Sequence, residues 1–348
     1  MNKNIQSVYG PEVQFPENFQ EQKILVAGAG GFIGGHLVAD LLRRGCRQIV
    51  AVDLKPKDEW YQYFSDVDNR IMDLRNEDAC FDASRGCDRI YNLACNMGGM
   101  GFIENNKAAC MRSVLINTHL LEAARINQCD RYFYSSTACV YAADKQSTPD
   151  VAPLKEEDAY PAMPEDGYGW EKLFSERLCR HYTEDYGVVT RIARLHNVYG
   201  PHGTFDGGRE KAPAALCRKI GLCKLKRELS FEIWGDGEQT RSFMYIDDCI
   251  TGIHLITESD EWCDPINLGS AEMMSINQLA KVIEGIADID LEHQYNLDAP
   301  KGVRGRSSDN TLIQKVFGWQ PSVTLEDGLS KTYDWIFQEL LKQRANLR

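Results

Sequence analysis

A short apolar run that ends in three evenly spaced glycines constrains this chain more than any other feature. Lys23-Ile24-Leu25-Val26-Ala27 reads as a buried parallel strand. Gly28-Ala29-Gly30-Gly31-Phe32-Ile33-Gly34 follows it in a G-x-x-G-x-x-G pattern. Residues 32–44 then carry apolar side chains at helical spacing, and Gly45 is a stop signal. A turn of this kind needs glycine, because its backbone must approach a pyrophosphate closely and its helix must pack near the strand. The exposed N–H groups and the positive end of the helix then face the phosphates. The motif places Gly28, Gly31, Phe32, Ile33 and Gly34 at a cofactor.

The same alternation continues downstream. Residues 48–53 (QIVAVD), 89–94 (RIYNLA), 131–135 (RYFYS) and 188–195 read as strands, and residues 113–127 as a helix. Strands alternating with helices imply right-handed βαβ units. The expected fold class is therefore α/β, a Rossmann-type doubly wound parallel sheet. After about residue 196 the alternation loosens. Helices are expected at 212–225, 275–285 and 325–344, with a strand at 231–234. This half reads as a smaller, interleaved substrate-binding lobe. The expected divisions are an N-terminal arm at 1–20, a cofactor domain at 21–196 with a returning segment near 240–260, and a lobe at 197–348.

Composition narrows the partners. The 348 residues include 39 Lys+Arg against 51 Asp+Glu, a net charge of −12. That balance argues against nucleic acid, which demands a basic face. It leaves room for a small anionic ligand met by a few local cations. No apolar run approaches the roughly 18 residues of a membrane span. The polar 1–20 segment carries no secretory h-region. The 12 cysteines contain no C-x-x-C and lie singly in apolar stretches, which implies buried thiols in a reducing cytoplasm. No histidine has persuasive metal-ligand spacing, so no metal is expected.

Asp53 closes the second strand, where a carboxylate accepts hydrogen bonds from a ribose 2′-OH and repels a 2′-phosphate. The expected cofactor is thus NAD, an inference that Lys55 nearby weakens. Asp73, in Asp73-Leu74-Arg75, sits beyond the next strand; it could meet an adenine amino group or simply cap a turn. Tyr168-Gly169-Trp170-Glu171-Lys172 puts Tyr168 and Lys172 on one helical face. An ammonium and a cationic nicotinamide would favour the phenolate and lower a pKa that is otherwise about 10. Ser135-Ser136-Thr137 ends a strand at the carboxyl edge of the sheet, where a hydroxyl can bond a reacting oxygen.

The glycine loop, acid, hydroxyl cluster and Tyr/Lys pair occur in this order together with more specific blocks. These are MGGMGFI from Met97, ACVY from Ala138, HNVYGPHGTFDGGREKAPAA from His196, WGDGEQTRSF from Trp234 and GVRGRSSDN from Gly302. With them the chain resembles the extended short-chain dehydrogenase/reductase family of nucleotide-sugar enzymes, and within it the branch that epimerises GDP-mannose at C3 and C5. The resemblance covers nearly all of the chain from about Lys23 onward.

The resemblance implies a set of roles. Oxidation at C4 makes the C3 and C5 protons α to a carbonyl, and Tyr168 would take the C4 hydroxyl proton as hydride passes to NAD. Lys172 would hold the ribose hydroxyls, and Thr137 the O4 oxygen. Leu74 and Leu93 would line the cofactor. Cys139 and Lys211 would be the acid/base pair, both tuned towards neutrality; the remaining cysteines are read as buried. Gly98, Asn197, Glu210, Ala212, Lys219, Gln239, Arg241 and Arg306 would hold the sugar nucleotide, with Lys219, Arg241 and Arg306 as diphosphate cations and Arg304 nearby. Relatives commonly pair through two helices, which here would be 113–127 and 168–185, so a homodimer is expected. Other sugars (a GDP-heptose), epimerisation at a single carbon, and a silent NAD-binding regulator remain open on sequence alone.

Overall fold

The computed structural model describes residues 13–300 and 302–346. Its centre is a seven-stranded, wholly parallel sheet. The spatial order is Asp68–Ile71, Gln48–Asp53, Lys23–Ala27, Arg89–Asn92, Arg131–Thr137, Thr190–Leu195 and Ile266–Leu268. Chain direction across the sheet reverses between Lys23–Ala27 and Arg89–Asn92, which opens a crevice at their carboxyl ends.

Both faces of the sheet are covered, which is why its strands read as continuous apolar runs. Ile24 and Val26 pack on one side with Leu37, Val38 and Leu41 of the helix Phe32–Arg43 and with Ile250 and Ile253 of the helix Ile246–Glu258. Leu25 and Ala27 pack on the other with Cys80, Leu120, Leu121 and Cys179. Those residues come from the helices Glu77–Ser84, Val114–Ile126 and Tyr168–Tyr186.

The C-terminal part builds on the first face without a break. Leu216, Ile220, Leu279, Ile283, Leu329 and Ile336 belong to the same apolar cluster as the sheet. They come from the helices Ala212–Lys226, Ile276–Ala287 and Leu325–Asn346. Among the described residues three small sheets complete this lobe, one of them the parallel pair Val198–Tyr199 and Met244–Tyr245. Ser230–Trp234 pairs in parallel with Glu292–Asn296, and Thr240–Ser242 lies between Met273–Ser275 and Gly305–Arg306. The return to the central sheet runs further than residues 240–260, because Ile266–Leu268 supplies its edge strand.

The N-terminal arm needs a correction as well. Residues 1–12 lie outside the described residues, but the fold begins before residue 21. Phe19 is buried, and the Phe15 ring stands 4.1 Å from it and 5.2 Å from the His254 ring. Among the described residues, no helix is long and apolar enough to cross a membrane.

One buried ion pair ties the Tyr168–Tyr186 helix to the sheet. Arg194 grips Glu176 with two bonds, Nε to Oε1 at 2.9 Å and Nη2 to Oε2 at 2.7 Å. Its Nη1 donates to the Glu156 carbonyl at 2.6 Å, and Ser136 donates to Glu176. Removing one member of such a pair strands the other charge in the interior, at a cost of about 3–5 kcal/mol. Arg194→Met is therefore expected to lower the urea midpoint by that equivalent. The double variant Arg194→Met/Glu176→Leu should recover most of the loss in the same titration.

Candidate active site

The glycine turn has the geometry that its sequence demands. Gly28 has φ +87°, and a Cβ there would lie 2.9 Å from the Ala94 nitrogen and the Leu93 carbonyl carbon. A Cβ on Gly34 would lie 2.1 Å from the Gly28 oxygen, so helix and turn are packed backbone to backbone. Gly31 caps the Phe32–Arg43 helix without a side-chain bond, leaving its first N–H groups to face the crevice. That crevice is a cavity of about 1000 Å³. Gly28, Gly31, Phe32, Ile33, Gly34, Asp53, Asp73, Leu74 and Leu93 all line it.

Two acids fit the far end of a dinucleotide. Asp53 ends its strand and accepts from the Lys55 nitrogen at 3.0 Å, while the Lys55 ammonium turns to the Gly30 carbonyl at 3.1 Å. Asp73 is paired with Arg75 at 2.6 Å, and that guanidinium holds its carboxyl below the usual carboxylate range. The glycine cradle, the free helix N-terminus and Asp53 together match the shape and chemistry of NAD.

Ser135, Ser136, Thr137, Tyr168 and Lys211 line the same cavity. Gly169 lets the Tyr168–Tyr186 helix start hard against the preceding turn, since a Cβ there would fall 2.3 Å from the Cys139 oxygen. Lys172 is fully buried, donates to the Ser135 carbonyl at 2.8 Å and stands 5.7 Å from the centre of the Tyr168 ring. The lowering of the Tyr168 pKa is expected from an ammonium and a cationic nicotinamide together, and the chain's own groups do not give it. Burial is the largest influence and, with Cys95, Cys139 and Glu171 nearby, pushes the phenol well above its ordinary value, while Thr137 opposes this by hydrogen bonding. The Lys172 ammonium, bonded to a carbonyl and not to the phenol, does not override burial.

Cys139 and Lys211 diverge. Burial of Lys211 lowers its pKa towards neutrality, as expected. Burial of Cys139, reinforced by Glu165, pushes its thiol up to about 11, against the expectation of a thiol tuned to neutral pH. Cys139 packs with Tyr168, Ile103 and Cys110. The reading of every other cysteine as buried also fails in two places: Cys95 is half-buried and Cys263 is exposed. Among the described residues, no group of His, Cys, Asp or Glu is arranged to hold a metal ion.

The residues expected at the sugar nucleotide fall into two groups. Lys211 lines the cavity directly, with Ala212 opening the helix behind it. Glu210 binds the Arg218 guanidinium at 3.2 Å and the Gly208 nitrogen at 2.7 Å, so it shapes the loop that presents Lys211. Gly98 lies under Phe102, whose Cβ would be 2.8 Å from a Cβ at 98. Asn197 adopts φ +38° and bonds the Ser242 carbonyl at 3.1 Å. The second group sits deeper in the lobe. Lys219 donates to the Glu232 carbonyl at 2.7 Å, and Gln239 Nε2 to the Trp234 carbonyl at 2.9 Å, leaving Gln239 Oε1 buried and unbonded. Arg241 donates to the Thr240 carbonyl at 2.7 Å and to the Val303 carbonyl. Arg304 is taken by Asp236 at 3.0 Å. Arg306 is buried beside Cys139 instead of lying open as a phosphate cation.

Two residues escaped the sequence reading. Arg209 reaches from the GGREK loop to the glycine-rich 97–101 loop, bonding the Asn96 side chain at 3.0 Å and covering the Phe102 ring at 3.9 Å. Glu165 touches the Arg306 guanidinium. The available signal for Glu165 was an acid three residues before Tyr168, which in sequence is indistinguishable from a turn residue.

This arrangement can hold a dinucleotide against a second polar ligand and move protons at several atoms between them. Known proteins with similar sequences bear on which chemistry it serves. The chain is 46% identical over 327 residues to GDP-mannose 3,5-epimerase 1 of Oryza sativa subsp. japonica, covering 94% of this chain and 84% of that protein. It is 44% identical to GDP-mannose 3,5-epimerase of Arabidopsis thaliana, covering 93% and 84%. A crystal structure of UDP-glucuronic acid 4-epimerase from Bacillus cereus, in complex with UDP-glucuronic acid and NAD, superposes with a TM-score of 0.77 at 28% identity, covering 91% of this chain and 99% of that one. Residues 24–269 match the model of the NAD dependent epimerase/dehydratase family. The cradle, the acids and the Tyr/Lys/Thr set thus stand in a chain that belongs to the NAD dependent epimerase/dehydratase family.

Proposed function

We propose that this protein epimerises GDP-mannose at C3 and C5 with a retained NAD. The observation that carries the reading is the meeting of Tyr168, Thr137 and Lys211 around one cavity floored by the glycine turn, with Cys139 packed against Tyr168 behind them. The identity to the plant enzymes supports the choice of sugar. In this reading residues 21–196, with the later return to the sheet, hold the cofactor, and residues 197–348 mainly hold the sugar nucleotide.

The cofactor, when bound, accepts hydride from C4 of the sugar and returns it. Everything else falls to the chain. Gly28, Gly31 and Gly34 admit the pyrophosphate, and Asp53 accepts from a ribose hydroxyl. Tyr168 Oη removes the proton from the C4 hydroxyl, with Thr137 Oγ1 bonded to the same oxygen. Lys172 Nζ supplies the positive charge beneath Tyr168. With C4 a ketone, the C3 and C5 protons become acidic enough for side-chain bases. Lys211 Nζ and Cys139 Sγ then remove and return protons on opposite faces of the ring. Lys219 and Arg241, with Gln239 beside them, face the diphosphate from the lobe, Arg306 being held at Cys139 instead, and Gly98 and Asn197 admit the sugar. These local cations meet an anionic ligand despite the net charge of −12.

The protein works as a homodimer in the cytoplasm. Met111, Leu115, Trp170 and Phe174 are exposed apolar side chains on and just before the helices expected to pair, and free thiols suit a reducing compartment. Nothing in the charge balance favours nucleic acid as a partner.

Three experiments test the reading. Incubation with GDP-mannose in heavy water should place deuterium at C3 and C5 of the recovered sugar; label at neither carbon would sink it. Label at C5 alone would limit the enzyme to one carbon. Tyr168→Phe should lower turnover by at least about 100-fold, the usual scale for a lost acid/base group, while bound NAD measured after heat release stays stoichiometric. Phe174→Glu should halve the mass seen by light scattering; a monomeric unmutated protein would reject the dimer.

A further inference from the structure

A carboxylate set against Cys139, that of Glu165, has no part in the roles above. Glu165 lies in the short 164–167 segment that leads into the Tyr168–Tyr186 helix. Its backbone nitrogen donates to the Cys139 carbonyl at 3.0 Å, so the two residues are locked side by side. A single guanidinium then spans both side chains. Arg306 Nη1 donates to Cys139 Sγ at 3.5 Å, and Nη2 donates to Glu165 Oε1. Arg306 Nε is held by Gln146 Oε1 at 2.5 Å, so the guanidinium plane is fixed. Glu165 Oε2 is buried and accepts no hydrogen bond. An open acceptor in the interior is costly unless a donor is at hand, and the Cys139 thiol is the donor beside it.

We propose that Cys139 and Glu165 share one proton across Arg306, making Glu165 the positioning residue that lets Cys139 act as either acid or base. The proposal rests on Cys139 being a proton-transferring group in the reaction proposed above. In one state the S–H bond is intact and Glu165 is the carboxylate. In the other the S–H bond breaks as an O–H bond forms on Glu165, leaving a thiolate beside the guanidinium. Only a proton moves, and Arg306 neutralises whichever partner is anionic. Two groups that cannot both be charged in one small space behave in this way.

The surroundings fit a pair with one negative charge. Arg241, on Thr240–Ser242, faces both Glu165 and Cys139, and crowding by burial and Arg306 lowers it to about 10. Tyr168, from its helix, and Lys211, from the start of Ala212–Lys226, also face Cys139. Arg306 and the neighbouring Arg241 hold the Glu165 carboxyl low despite its burial, while Glu165 in turn pushes the thiol up. At rest the proton therefore sits on sulfur.

The test uses the intact enzyme and reads Cys139 without substrate. Alkylation of Cys139 by iodoacetamide is followed by peptide mass mapping between pH 7 and 9.5, where the rate tracks the thiolate fraction. Glu165→Gln removes the neighbouring negative charge but keeps the shape. The expected result is at least about a tenfold faster alkylation at pH 8.5, one unit of thiol pKa. Glu165→Asp should restore slow alkylation in whole or part. An unchanged rate in the Gln variant overturns the proposal, and so does an equal rise in both variants, which would mark a packing effect. In heavy water with GDP-mannose, Glu165→Gln should slow deuterium entry at C5 by about tenfold or more with KM within about twofold, because the loss lies in proton transfer and not in binding; a KM change alone counts against it. If the unmutated enzyme labels neither carbon, the GDP-mannose reading falls while the alkylation arm still decides whether the pair exists.

Discussion

The contact between the Tyr168–Tyr186 helix and the carboxyl end of Arg131–Thr137 is the constraint on which the rest of the site depends. Three charged side chains on that helix, Glu171, Lys172 and Glu176, are buried. Each is tolerable only in its present place. Lys172 bonds the Ser135 carbonyl and lies 4.7 Å above the Tyr134 ring, Glu171 accepts from Tyr134 and Ser175, and Glu176 is clasped by Arg194. Sliding the helix by one residue would strand all three charges away from their partners. Gly169 removes the side chain that would otherwise hold the helix off the Cys139 turn. The same packing therefore fixes Tyr168, Thr137 and Cys139 relative to one another, helped by the Cys139 N–H donating to Thr137 Oγ1 at 3.3 Å.

That rigidity meets a lobe built on a different principle. The small strands of the lobe are two to five residues long and carry many of the basic residues expected at the substrate. Arg241 and Arg306 sit on adjacent strands of one small sheet, in direct register. Pairing them places two guanidinium groups side by side, a repulsion that burial would sharpen. Glu165, arriving from the other half of the molecule, supplies the opposite charge. The site is thus closed by a contact between halves that neither half would make alone, and that contact falls on Cys139.

How much of this was legible in the sequence follows from how local each signal is. The glycine turn, Asp53 and the Tyr168/Lys172 pair are local patterns, and the strands beside them are long enough for periodicity to show. Ile266–Leu268 is three residues long and Gly305–Arg306 two, too short for any period, so the edge strand and the inner lobe sheet were missed. Arg209 and Glu165 were missed for a related reason. Each acts on residues far away in the chain, Met97 and Arg306 among them, and a lone charged residue in a turn carries no mark of its distant partner. The protonation of Cys139 was misread because a motif names a residue type and not its burial. Phe15 shows the same limit in miniature: its surroundings are polar in sequence, yet it packs on Phe19 and His254.

The proton-handling groups share one tendency that recasts the charge argument. Burial raises Tyr168 and Cys139 and lowers Lys211, and each shift favours the neutral form. Groups that burial shifts towards neutrality have little power of their own to ionise a sugar. Lys172 and Arg306 are two buried positive charges next to these groups, one beside Tyr168 and one beside Cys139. In a medium of low dielectric such charges act strongly on whatever anion forms next to them. An alkoxide at C4 would form over Lys172, and a thiolate beside Arg306. In the proposed reaction, two buried cations at close range outweigh a net charge of −12 that salt screens across the surface.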